Sequence, residues 1–130
     1  MVLNWDTLKR FNINSPPTYT LGRSKKVQEK YDRHREWMKS EKVDVKSYIN
    51  GKFHLDTNEI VFIENEFPYN CEEGIRHYII WISDKYKYNT SSLNEYIKTK
   101  VNNSSYICYK NIPANNSIAC VNHYHVFVKL

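Results

Sequence analysis

The residues of this 130-residue chain best suited to chemistry lie at its end, between Asn111 and Leu130. If the last stretch is a strand, alternate side chains share a face, and His123 and His125 stand ~6–7 Å apart on it. Neutral imidazole is nucleophilic near neutral pH because its ordinary pKa is about 6.5. Three roles fit such a pair. Both rings can be structural, hydrogen-bonded in the core and at its rim. The pair can bind a transition metal, with His77 as the best third ligand and Cys120 or Cys108 next, although no Cys/His spacing completes a zinc pattern. Or one histidine attacks phosphorus while neighbours orient it and hold the phosphate.

These residues depend on the elements that carry them. Cys120 to Lys129 alternates as a strand, with Val121, His123, His125 and Phe127 on one face. Ile75 to Ile82 is the strongest strand pattern, and its nearly continuous apolar run predicts a strand covered on both faces. Ile60 to Ile63 and Tyr106 to Tyr109 are shorter β-branched and aromatic runs. Leu93, Tyr96, Ile97 and Val101 share a helical face, predicting a helix over 92–101 stopped by Asn102 and Asn103. Upstream, Ser24 is a good N-cap for a helix to about Glu41, with Val27, Tyr31, His34 and Met38 as its apolar stripe. A short helix or turn over 44–50 is expected to end at Gly51, and 5–21 reads as irregular around Pro16 and Pro17. Trp81 and Trp37 are expected in the core, with Trp5 the most exposed of the three tryptophans. The reading is a single α+β domain over 1–130, with a basic helical extension at 1–50. Its core at 51–130 is an antiparallel sheet in the order β-β-α-β-β. The last two strands are expected to pair as a hairpin.

The run Cys120-Val121-Asn122-His123-Tyr124-His125-Val126-Phe127-Val128 resembles the motif of the histidine-triad nucleotide hydrolases and transferases, Ser-φ-x-His-φ-His-φ-His-φ with φ apolar. The resemblance implies a histidine-triad-like fold with the same β-β-α-β-β order. It implies His125 as nucleophile and His123 as its neighbour and proton donor. Asn111 and Ser117 would help hold the phosphate, and Cys120 stands at the serine position. Phe127 replaces the third histidine, as in the superfamily's transferase branch. Gly74-Ile75-Arg76-His77 resembles the start of the second strand of that superfamily's first hairpin, which adds His77 to the site. A longer similarity, to small fungal proteins described as N-acetylglucosamine-induced, covers nearly the whole chain. Its marks are Trp5 with Leu8, Leu21-x-Arg23-Ser24, Gln28-x-x-Tyr31, Trp37, Glu66-Phe67-Pro68-Tyr69, Gly74-Ile75-x-His77, Trp81, Lys110-Asn111, Ser117 and Val121-x-His123-Tyr124-His125-Val126.

Composition sets the outer limits. With 41% hydrophobic and 15% aromatic residues the chain is too rich in core-formers to be disordered. Three cysteines, none in C-x-x-C, predict free thiols in a reducing, cytoplasmic setting rather than a disulfide framework. No apolar run suits a signal peptide or a membrane span, so no membrane partner is expected. The net charge of +5 sits entirely in residues 1–47, which hold 11 Lys/Arg against 6 Asp/Glu. That basic stretch is either a solvated helix face or a surface for phosphates. Heavy use of Tyr, Asn, Lys and Ile suggests an AT-rich genome, such as that of a large DNA virus or a protist. The expected function is nucleotide binding, with hydrolysis or transfer at a nucleotide phosphate through His125 and no metal or cofactor. The alternative is a non-catalytic module for a nucleotide or a capped RNA.

Overall fold

The computed structural model describes residues 1–130. Four strands form one antiparallel sheet: β1 (Ile60–Glu64), β2 (Ile75–Ile82), β3 (Ser105–Tyr109) and β4 (Asn122–Lys129), in the spatial order β1-β2-β4-β3. The last strand in sequence is thus central, paired with β2 on one side and β3 on the other. The register sets Trp81 opposite His123, and Ile79 and Tyr109 on either side of His125. Between β2 and β3 runs a helix, Thr90–Val101. It begins in a reciprocal cap: the Asn89 side chain accepts from the Ser92 N–H at 2.8 Å, and the Asn89 N–H donates to Ser92 Oγ at 2.9 Å. It ends where Asn102 and Asn103 both take left-handed backbone angles, φ 55° and 69°.

The pleat sends the two faces of the sheet to different partners. Ile80, Ile82, Cys108, Val126 and Val128 meet Leu93, Ile97 and Val101 of that helix. The opposite face is covered in two places by the N-terminal half. At one end Leu3, Leu8, Leu21 and Tyr69 pack on Ile107, Tyr109 and Phe127. At the other, Ile49 and Leu55 pack on Ile79, Trp81 and Val121. The middle of that face, where His123 and His125 project, is left for a cavity. Both faces of β2 are therefore buried, as its apolar run predicts.

The N-terminal half contains α1 (Trp5–Leu8), α2 (Lys25–Ser40), α3 (Val45–Lys52) and α4 (Leu55–Asn58), and the helix after β2 is α5. The Ser24 cap on α2 forms, its Oγ accepting from Val27 N–H at 3.3 Å. Four expectations need correction. Gly51 lies inside α3, which stops one residue later, at Lys52. The segment 5–21 is not wholly irregular: Asn4 caps a one-turn α1 by accepting from Thr7 N–H at 2.8 Å. Trp37 is not core. It is 47% exposed, because Tyr31 and Met38 take the inward direction of α2, while Trp81 is 5% exposed as expected. Trp5, expected to be the most exposed tryptophan, is half-buried against the cluster around Leu3 and Leu8. No helix is long and apolar enough to cross a membrane.

Candidate functional site

Three histidines meet on the covered face of the sheet. β2 supplies His77, and β4 supplies His123 and His125, which alternation puts on the same side. They are 3%, 6% and 4% exposed, so each ring nitrogen must find a partner inside the protein or face the cavity. Tyr69 N–H donates to His77 Nδ1 at 3.0 Å. That nitrogen is thereby an acceptor, which puts the ring proton on His77 Nε2. Nε2 lies 2.8 Å from His125 Nδ1 and donates to it. His125 then carries its own proton on Nε2, 3.0 Å from Asn111 Nδ2. Two donors do not pair, so the chain is satisfied once the Asn111 amide presents its oxygen there. In that orientation the Tyr69 hydroxyl, 3.2 Å from the same amide position, can donate to it as well. The Asn115 carbonyl, 3.4 Å away, is the one neighbour the orientation does not suit.

The chain Tyr69–His77–His125–Asn111 holds only neutral rings, since every proton position in it is taken. Electrostatics agree. Burial first, then the neighbouring His125 and Arg23, push the His77 pKa well below the usual value. Burial, His123 and Arg23 depress His125 to about 3. His123 is separate from this chain. Its Nδ1 donates to the Val121 carbonyl at 2.8 Å, and burial lowers its pKa. Trp81 lies against its ring at a centroid distance of 4.8 Å.

His123 and His125 both line a cavity of about 360 Å³, within the ordinary range for small-molecule sites. Its walls are aromatic, with Tyr31, Tyr48, Phe53, Phe67 and Trp81 among them. Its charged lining residues are Lys52, Glu64, Glu66 and Arg23. The guanidinium donates through Nε to the Phe67 carbonyl at 2.7 Å and lies 4.1 Å from the centre of the Tyr31 ring and 5.3 Å from that of Tyr69. The four ion pairs of the molecule leave Arg23 out. Lys52, the other cavity cation, is held by Glu66. The floor of the loop after β3 is tied to α2, with Tyr31 Oη and Ser117 Oγ 2.6 Å apart and Arg35 donating to Tyr31 Oη at 3.2 Å.

Of the residues picked out by sequence, Asn111, Ser117, His123 and His125 share this cavity. His77 is behind it, sealed in the hydrogen-bonded chain. Cys120 is outside it, exposed in the turn before β4. No group of three or more His, Cys, Asp or Glu side chains could hold a metal ion; His77 Nε2 is directed at His125 instead. Arg23, Tyr31 and Tyr69 belong to the site and had no role assigned from sequence. Their signal was the family-like marks Leu21-x-Arg23-Ser24, Gln28-x-x-Tyr31 and Phe67-Pro68-Tyr69, which gave positions without chemistry.

Comparison with known proteins adds a family and a fold. A family model described as "Protein of unknown function (DUF3605)" matches residues 4–129. No curated protein matches. A solved structure titled "Crystal Structure of HTC1" is similar, with a TM-score of 0.69 and 21% identity over 98% of this chain and 85% of that one.

Proposed function

The chain belongs to the DUF3605 family, and from that premise we propose that its cavity binds a nucleotide. The base lies among the aromatic side chains, and the phosphate lies against Arg23. The observation that carries this is the half-buried Arg23, held by a carbonyl and two aromatic faces with no carboxylate partner. A cation fixed in this way, inside an aromatic cavity, is matched by a ligand that is both flat and anionic. Stacking of a base on such side chains is worth ~1–3 kcal/mol. A histidine-triad-like ancestry fits the element order β-β-α-β-β and the His-x-His on the central strand.

Binding stands ahead of turnover through His125, because both its nitrogens already have partners. A second reading extends the first to the 5′ end of a capped RNA. It is favoured by α2, none of whose Lys or Arg side chains joins an ion pair; with Arg35 engaged by Tyr31, Lys25, Lys26, Lys30, Arg33 and Lys39 are left for further phosphates.

The test is a thermal-shift screen of nucleosides, nucleoside 5′-phosphates and cap analogues, followed by assay for release of phosphate. A ligand at 100 times its dissociation constant stabilises by ~2.7 kcal/mol. Stabilisation by phosphorylated ligands alone is expected. No shift with any of them overturns the reading. A larger shift with capped oligonucleotides than with the cap alone selects the second.

A further inference from the structure

We propose that the reacting nitrogen of this cavity is His123 Nε2, and that His125 serves as a strut positioning the loop that closes the cavity. The inference rests on the nucleotide reading for its substrate but on hydrogen-bond chemistry for its assignment. A neutral imidazole has one donor and one acceptor nitrogen. A carbonyl oxygen only accepts, so the 2.8 Å contact with Val121 requires the proton on His123 Nδ1. The lone pair is then on Nε2. That atom has no protein partner and is not among the polar atoms sealed from solvent without one, which are Trp81 Nε1, Tyr109 Oη and Asn115 Nδ2. The ring is packed on two sides: Trp81 lies against it at a 41° tilt, and His125 meets it edge-on at 5.8 Å. Burial and the nearby Lys110 charge keep it neutral.

His125 has the opposite chemistry. Its Nδ1 lone pair is taken by His77, and its Nε2 proton is directed at Asn111. What it fixes is Asn111, at the start of the loop that runs to Ser117. Sequence resemblance pointed to His125 as the nucleophile; hydrogen bonding gives the free lone pair to its neighbour two residues earlier.

The step this permits balances without a metal. The Nε2 lone pair attacks the phosphorus of a nucleoside polyphosphate, and an N–P bond forms. The P–O bond to the departing phosphate or pyrophosphate breaks, and that oxygen keeps the electron pair, so no proton donor is needed. Water then attacks phosphorus, the N–P pair returns to Nε2, and one proton passes to solvent. A neutral, fixed imidazole with its other nitrogen on a carbonyl is a suitable nucleophile for this.

Two measurements on the wild-type chain test the proposal without a variant that must fold. The first is long-range nitrogen-15/proton correlation on the labelled protein near neutral pH. It should report the Nδ1–H form for His123 and the Nε2–H form for His77 and His125. The second is modification by diethyl pyrocarbonate and, separately, by a nucleoside 5′-phosphorimidazolide, with the adduct located by fragmentation of the peptide Asn111–Lys129. Both reagents should mark His123 and spare His125. An Nε2–H form of His123, or an adduct on His125 in place of His123, overturns the assignment. Marking of His123 by the small reagent but not by the phosphorimidazolide upholds the assignment and removes the nucleotide reading instead.

Discussion

Residue by residue, the site is defined by where protons are. His77 and His125 are buried neutral, with folded pKa values below the ordinary ~6.5 of the unfolded chain. Between those limits the unfolded state binds more protons, so stability is fully present above about pH 6.5 and falls as pH drops toward about 3, the His125 value. Urea unfolding followed across this window should show that acid limb, and it should be shallower in His77→Gln. An unchanged slope would mean that the rings are not buried neutral. Thiols give a second check. Burial raises Cys71 to about 11 and Cys108 to about 12, whereas Cys120 is exposed. Iodoacetamide on the native protein should label Cys120 first, and all three only after denaturation; early labelling of Cys108 would contradict its burial. The shared face of His123 and His125 was legible in the sequence because strand alternation is local. The unpaired Arg23 was not, since its environment comes from Phe67, 44 residues away. Nor was the choice between the two histidines, which depends on partners contributed by three other segments.

At the level of elements, legibility followed the strength of local signals. The strand at Ile75–Ile82 and the end of α5 at Val101 were readable because a long apolar run and an Asn-Asn stop leave few alternatives. The one-turn α4 was not. It is bracketed by His54 and Glu59, both at positive φ (54° and 58°), a conformation that neither residue type announces. Trp37 was misread because helical periodicity marks a stripe but not its edge. One step from Met38 is about 100° around the helix, which turns Trp37 toward solvent, against His34 at 5.9 Å. The caps make a quantitative claim. Asn89→Ala removes an acceptor from the start of α5 and should cost about 1 kcal/mol by chemical denaturation, because Ser92 N–H loses its partner. A cost near zero would place the start of α5 elsewhere.

In the whole molecule, the sheet is a platform with a helix on one face and the N-terminal half on the other. That half is more than an extension. Leu3, Leu8, Leu21, Ile49 and Leu55 are all buried where they cover the sheet, at roughly 1.5–3 kcal/mol per such side chain. A fragment of residues 59–130 should therefore lack cooperative unfolding by circular dichroism; a sharp transition would show that the sheet and α5 suffice. The same arrangement makes the cavity. Two clusters clamp the ends of the sheet face, α2 brings Tyr31 over the middle, and the connection before α2 contributes Arg23. Of the Lys and Arg residues that give 1–47 its excess charge, Arg23 lines the site. The central claim is that this cavity takes a flat anionic ligand through Arg23. Its most direct test is calorimetric titration of the wild type and Arg23→Gln with a nucleoside 5′-phosphate that stabilises the protein and with the matching nucleoside. The wild type should bind the phosphate form at least ~10-fold more tightly, about 1.4 kcal/mol, and Arg23→Gln should lose that preference while still binding the nucleoside. Equal affinity of the wild type for both ligands, or an Arg23→Gln variant that keeps the preference, would contradict it.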